Sequence, residues 1–295
     1  MKVSFIPRYG REAASSRLRV FAIADAINAH GLGEAVTEYS ADADVLVVQK
    51  AVDPKIFDLA SKHKGLVVYD LDDWIDYGIV AQALLTSDLI TVDTAGRAAE
   101  LRAGTQMNVA VIPDVLDYES HGPAGPAELD DYRSAVWFGN YPNFESARWM
   151  VRELQRRGPL GAISDLSEQT ADMGPQFSLK PWALDTFPDE LRRWGMALLS
   201  HKGADPNKSS NKMAAAYHLG VPCIVSGSQE YKDLAEACGL GWTYVKDRGG
   251  LLSAHERLSD YTERARAVIK AQPVIWDRYN AKSVAQYALK VWANA

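Results

Sequence analysis

Lys208-Ser-Ser-Asn-Lys212-Met-Ala-Ala-Ala-Tyr-His-Leu-Gly220-Val-Pro-Cys-Ile-Val225-Ser is a polar cluster, then an alanine-rich helical segment, a glycine stop and a short apolar run with strand character. A helix start exposes backbone N–H groups that have no partner within the helix, and it carries a partial positive charge. Lys208, Ser209, Ser210, Asn211 and Lys212 at that point are suited to hold a phosphate, and a nucleotide diphosphate is the ligand they suggest. A simpler use of the same residues is an N-cap, with Ser209 or Ser210 satisfying the helix and both lysines in solvent. The surrounding sequence has to decide between them.

On both sides of this stretch the chain alternates strands and helices. Residues 3–7, 43–49, 66–69, 89–92 and 109–112 are short apolar runs, and helical patterns at 17–30, 53–65, 79–86 and 94–103 separate them. Continuous runs, as opposed to alternating ones, are the mark of strands buried on both faces of a parallel sheet. Residues 118–132 change character around Gly122-Pro-Ala-Gly-Pro126 and read as a linker. A second series of strands follows at 135–138, 161–164, 177–179, 196–200, 223–226 and 242–245, and long helices are expected at 253–270 and 274–293. The expected fold class is therefore α/β, with two Rossmann-like parallel-sheet domains and an interdomain cleft. The expected boundaries are 1–117, a linker at 118–133, a second domain at 134–272, and a final helix at 273–295 placed to cross back onto the first domain. In such sheets ligands sit beyond the carboxyl ends of the strands.

The 295 residues are 47% hydrophobic, which suits two buried cores, and the formal charge of −6 argues against a surface that is basic throughout. Two cysteines, Cys223 and Cys238, make no disulfide framework and no zinc-type spacing. The opening Met1-Lys-Val-Ser-Phe-Ile-Pro has no signal-peptide pattern and no window approaches 18 apolar residues, so a soluble cytoplasmic protein is expected. Neither a P-loop, a Gly-x-Gly-x-x-Gly turn nor a Gly-x-Ser-x-Gly elbow is present.

Other strand-end loops carry chemistry-bearing residues. Arg8, Arg11, Ser15, Ser16, Arg17 and Arg19 crowd the first one, and arginine forks bind phosphates or sugar hydroxyls with fixed geometry. The plainer use is a capping serine and arginines paired with Asp25 and other surface acids. Asp70, Asp72 and Asp73 form an acidic knot suited to binding sugar hydroxyls or to local structure, in preference to a metal. His201 follows a strand, and Glu230-Tyr231 opens a helix where Tyr231 has the shape to stack on a sugar or base.

The pattern Lys208-Ser-x-x-Lys212, the alanine-bearing helix, Leu219-Gly-Val-Pro-Cys-Ile-Val225-Ser, Tyr231 and Gly239-Leu-Gly241 resembles the donor-binding half of GT-B glycosyltransferases of the group 1, retaining, family 4-like type. Arg17-Leu-Arg19, Ala43-Asp-Val-Leu-Val-Val-Gln49 and Val68-Tyr-Asp-Leu-Asp-Asp73 resemble the first domain of bacterial members. The resemblance implies that Ser209, Ser210 and Lys212 hold the diphosphate of a UDP- or GDP-sugar, with Gly139-Asn140 at the interdomain edge. Asn207 and Ala215 stand where the family commonly carries two glutamates with seven residues between them. The expected activity is transfer of a sugar to a hydroxyl acceptor, a glycan or lipid-linked intermediate, without a metal or any cofactor beyond the nucleotide-sugar. Asp70, Asp72, Asp73 and Lys212 are the expected catalytic groups, and Arg8, Ser16, Arg17 and Arg19 the acceptor contacts. A hydroxymethylated DNA base is the alternative acceptor, and a non-catalytic nucleotide- or sugar-binding protein the alternative class.

Overall fold

The computed structural model describes residues 1–72, 77–165, 173, 177–201 and 207–295. The chain divides into two units, Met1–Leu116 with Arg278–Ala295, and Asp117–Asp277.

The first unit is built on six parallel strands, β1 (Lys2–Ile6), β2 (Glu34–Val36), β3 (Val45–Gln49), β4 (Leu66–Leu71), β5 (Leu89–Val92) and β6 (Val109–Val111), in the order β2-β1-β3-β4-β5-β6. Between them run α1 (Ala14–Ser16), α2 (Ala22–Ala29), α3 (Pro54–Lys62), α4 (Tyr77–Thr86) and α5 (Ala95–Gly104). All five residues of β3 are buried, as its unbroken apolar sequence requires. One face of the sheet meets a core that includes Phe5, Ile23, Ile27 and Trp292; the other meets Leu46, Phe57, Tyr69 and Ile90. Because the connection from β1 goes to one side and that from β2 to the other, the order reverses between β1 and β3.

The second unit has five parallel strands, β7 (Ala135–Phe138), β8 (Leu160–Ser164), β9 (Phe177–Pro181), β10 (Met196–Ser200) and β11 (Cys223–Ser226), in the order β11-β10-β7-β8-β9. Its helices are α6 (Phe144–Leu154), α7 (Phe187–Arg192), α8 (Asn211–His218), α9 (Gln229–Ala237), α10 (Arg248–Leu258) and α11 (Tyr261–Tyr279), whose last two residues fall in the first unit. Here the order reverses between β7 and β10. The last helix, α12 (Ala281–Ala293), packs against α2 in the first unit and brings Trp292 edge-on to Phe5 at 5.9 Å.

The structure departs from the expected elements at four places. A sixth strand, β2, joins the first sheet at its edge; three residues with an exposed glutamate are too short for a periodic signal. The expected helix over 17–30 starts at Ala14 and contains a π-helical turn, Arg17–Phe21. The strand expected at 242–245 is a 3-10 turn with a single bridge from Tyr244 to Val225. Among the C-terminal helices the breaks fall at Ser259-Asp260 and Asn280, while Pro273 lies inside α11. Asp260 Oδ1 accepts from Glu263 N and Asn280 Oδ1 from Ser283 N, so capping side chains outweigh the proline as boundary markers.

Candidate functional site

In the second unit the organising stretch lies at the reversal of strand order, because α8 follows β10 and Gly139 ends β7. Reversals of this kind are where open α/β sheets leave a crevice for ligands. Lys212, in the first turn of α8, sets its ammonium 5.6 Å above the Trp137 ring and against Gly139. Gly139 has φ +143°, a backbone conformation that favours glycine, and a Cβ there would displace Lys212 Nζ. Its carbonyl accepts from Ser164 Oγ at 2.5 Å, which fixes the peptide that the ammonium rests on.

Lys212 keeps some exposed surface, yet its ammonium is enclosed by protein, and that desolvation, with Lys208 adding to it, pulls its pKa down to about 8. Among the described residues no carboxylate pairs with it. An enclosed cation without a counter-ion is costly, and its natural complement is an anion from outside the chain. Ser210 is the N-cap residue of α8 but makes no side-chain cap bond, so the simple capping role does not describe it. Ser228 Oγ donates to Lys208 O at 3.0 Å, which ties the start of α9, with buried Glu230, to the same corner.

His201, one residue past β10, is buried, stacks on Tyr231 at 5.0 Å and places Nε2 3.0 Å from the Tyr231 hydroxyl. Burial first, then Lys212 and Lys208, hold its pKa down at about 3, so the imidazole is neutral. Tyr231 is fully buried, which corrects the expectation that it stacks on a ligand: its ring is occupied by His201 and the core. Asn140 is exposed just beyond Gly139.

In the first unit the expected site residues behave differently. Arg19 is 3% exposed; its Nε and Nη2 donate to both oxygens of Asp70 at 2.7 and 2.6 Å, and Nη1 to Asp114 at 3.1 Å and Ile112 O at 2.8 Å. Asp70 also accepts from Thr91 Oγ1 at 2.7 Å. Arg19 as an acceptor contact and Asp70 as a catalytic group are thus corrected: each spends its bonds on the other inside the unit. Asp72 pairs with Lys50 at 2.7 Å, and burial pushes its carboxyl up to about 6 against the pull of Lys50. Asp93, held by Arg97 at 2.8 Å, is raised to about 7 by burial and by Asp114. Asp73 lies outside the described residues. Ser16 is buried, with Oγ donating to Gln49 Oε1 at 2.7 Å and accepting from Tyr9 N at 3.0 Å, so it positions its neighbours and is corrected as a direct acceptor contact. Arg17 Nη1 donates to Arg11 O and Glu12 O, Arg11 pairs with Asp25, and Arg8 is exposed.

Trp137, Ser164, Gln49 and Lys50 belong with these sites, although no sequence motif marks them. Their common signal is position: each sits within one residue of the carboxyl end of a parallel strand. Among the described residues no group of three or more His, Cys, Asp or Glu is arranged to hold a metal ion, and no helix is long and apolar enough to cross a membrane.

No family model and no curated protein sequence matches the chain. Solved structures do. Anabaena HepE in complex with UDP-glucose is 12% identical, with a TM-score of 0.73 over 100% of both chains. An alpha-glucosyltransferase in complex with UDP and a 13-mer DNA containing a HMU base is 10% identical, with a TM-score of 0.70 over 99% of each chain. A trehalose-6-phosphate synthase whose glycosyl transfer proceeds with retention is 12% identical, with a TM-score of 0.62 over 93% of this chain and 78% of that one. At such identities the likeness concerns architecture alone. Together with two parallel-sheet units in one chain, it establishes that this protein has the GT-B fold.

Proposed function

We propose that the protein is a glycosyltransferase that moves a sugar from a nucleoside-diphosphate sugar to a hydroxyl acceptor, with the diphosphate on the start of α8. The observation that carries this reading is the enclosed ammonium of Lys212, which no carboxylate among the described residues compensates, in the first turn of an eight-residue helix. A diphosphate between Lys212, Lys208 and the Ser209-Ser210 amides supplies the missing negative charge. As the glycosidic bond breaks, negative charge gathers on the leaving diphosphate, and donors already fixed in place stabilise it without reorganising. On this reading the charge of the two lysines serves the purpose that a divalent ion serves elsewhere. HepE, whose fold this chain shares, was captured with UDP-glucose, which supports UDP as the nucleotide. Likeness to an enzyme that transfers with retention supports the retaining outcome.

The first unit is the acceptor side in this reading, with the Arg8 to Arg17 loop and Gln49 at its own reversal of strand order. A neutral glycan or lipid-linked hydroxyl is favoured over a DNA base, because the net charge of −6 opposes binding to a phosphate backbone. The test is incubation with UDP-, GDP- and TDP-sugars, following nucleoside diphosphate release with and without hydroxyl acceptors. Acceptor-dependent release that is lost in Lys212→Met is the expected result. Tight UDP binding without release from any donor would leave a non-catalytic binding protein. A salt titration of DNA binding separates the acceptor classes, since only a phosphate-contacting surface weakens steeply with salt.

A further inference from the structure

At the carboxyl end of β3, Gln49 is completely buried, and its carboxamide is oriented by two donors: Arg8 N at 3.2 Å and Ser16 Oγ at 2.7 Å both give their hydrogens to Oε1. A main-chain N–H can only donate, so the oxygen must face Arg8 and the amide nitrogen must face the other way. There Nε2 meets no acceptor among the described residues. An unmade hydrogen bond on a buried amide is costly and calls for a reason. Two further features coincide with it. Gln49 lies at the β1/β3 reversal, where an open parallel sheet has its ligand crevice. The next residue, Lys50, has φ +44°, a left-handed conformation that a branched-out L side chain adopts at a cost and that gathers at functional sites.

We infer that Gln49 is a specificity-determining residue of the first unit: its Nε2 donates to a hydroxyl oxygen of a neutral carbohydrate acceptor. This rests on the reading of that unit as the acceptor side. The ligand is neutral because the donor is neutral and, among the described residues, the three buried cations at this end of the sheet are already paired: Arg19 with Asp70 and Asp114, Lys50 with Asp72, and Arg97 with Asp93. With carboxylates outnumbering cations there, none of the three is left over to attract an anionic group. Ser16 and the main chain of Arg8 then act as positioning groups, since they fix which end of the carboxamide is presented.

The test uses the native full chain labelled with ¹⁵N at glutamine, with the Gln49 side-chain resonances identified by their loss in Gln49→Glu or, should that variant not fold, in Gln49→Asn. Methyl α-glucoside, galactoside and mannoside are titrated in turn, with inorganic phosphate as the anionic probe and UDP binding measured by calorimetry on the same sample. A saturable shift of the Gln49 amide with at least one glycoside, and none with phosphate, is expected. Transfer to that glycoside by Gln49→Glu should show KM raised about threefold to tenfold, the loss expected of one neutral hydrogen bond. Gln49 resonances that no glycoside moves, or that phosphate moves, overturn the inference. UDP binding without glycoside shifts defeats this inference alone; glycoside shifts without UDP binding defeat the sugar-transfer reading and leave the hydroxyl site standing.

Discussion

The two units bury charge at equivalent places and in opposite ways. In the first, Arg19 with Asp70 and Asp114, Lys50 with Asp72, and Arg97 with Asp93 satisfy one another inside the carboxyl end of the sheet. In the second, Lys212 is enclosed with no carboxylate partner among the described residues. A set of buried charges paired with one another holds a fold in one arrangement. An unmatched one costs stability, and only something it binds offsets that cost. The difference separates residues that resemble site residues in sequence from residues that await a ligand.

The comparison breaks first at Arg19. Arg19→Met leaves two buried carboxylates without their cation and should lower the unfolding free energy by about 3–5 kcal/mol in denaturant titrations. Lys212→Met should do the reverse to the unliganded protein, stabilising it by about 1–3 kcal/mol, because a charge held below its usual pKa by desolvation is removed. If Lys212→Met is as destabilising as Arg19→Met, the contrast between the units disappears. Gly139→Ala forces a φ of +143° on a residue with a Cβ and pushes Lys212 Nζ aside, so diphosphate affinity should fall by about 1–2 kcal/mol in calorimetry.

The pH dependence sharpens the same contrast. Unliganded Lys212 titrates at about 8, below the value it has in the unfolded chain, so the native state binds fewer protons above pH 8 and stability from this group rises from there toward pH 10.5. Affinity for a diphosphate sugar runs the other way, full below pH 8 and falling by up to about tenfold per unit above it. Asp72 and Asp93 are raised to about 6 and about 7, so the stability they contribute is present below their unfolded pKa and is lost as pH rises through those values. The smallest effect belongs to Tyr231→Phe, which removes one buried hydrogen bond to His201 and should cost about 1 kcal/mol, with diphosphate affinity unchanged.

How much of this was legible in the sequence depended on whether a feature was local. Strand β3 and the Lys208 to Ser226 stretch announce themselves because an unbroken valine run and a polar-helix-glycine-strand order are each set within a few residues. The partnership of Arg19 with Asp70 was hidden, since residues 51 positions apart meet only through the register of a sheet. Arginines in a loop look like ligand contacts until their partners are known. Tyr231 is a similar case: it lies on α9, and His201, which stacks on its ring, arrives from the end of β10. Gln49 was visible as a polar end to an apolar strand, but the orphaned amide nitrogen follows from Arg8 and Ser16 folding over it.

The most direct measurement is a calorimetric titration of UDP-glucose into the native protein and into Lys212→Met, at pH 7 and with the fold of each checked by circular dichroism. The account predicts binding to the native protein and a loss of about 1–3 kcal/mol in the variant, roughly five- to 150-fold. Equal affinity in the two proteins would contradict it.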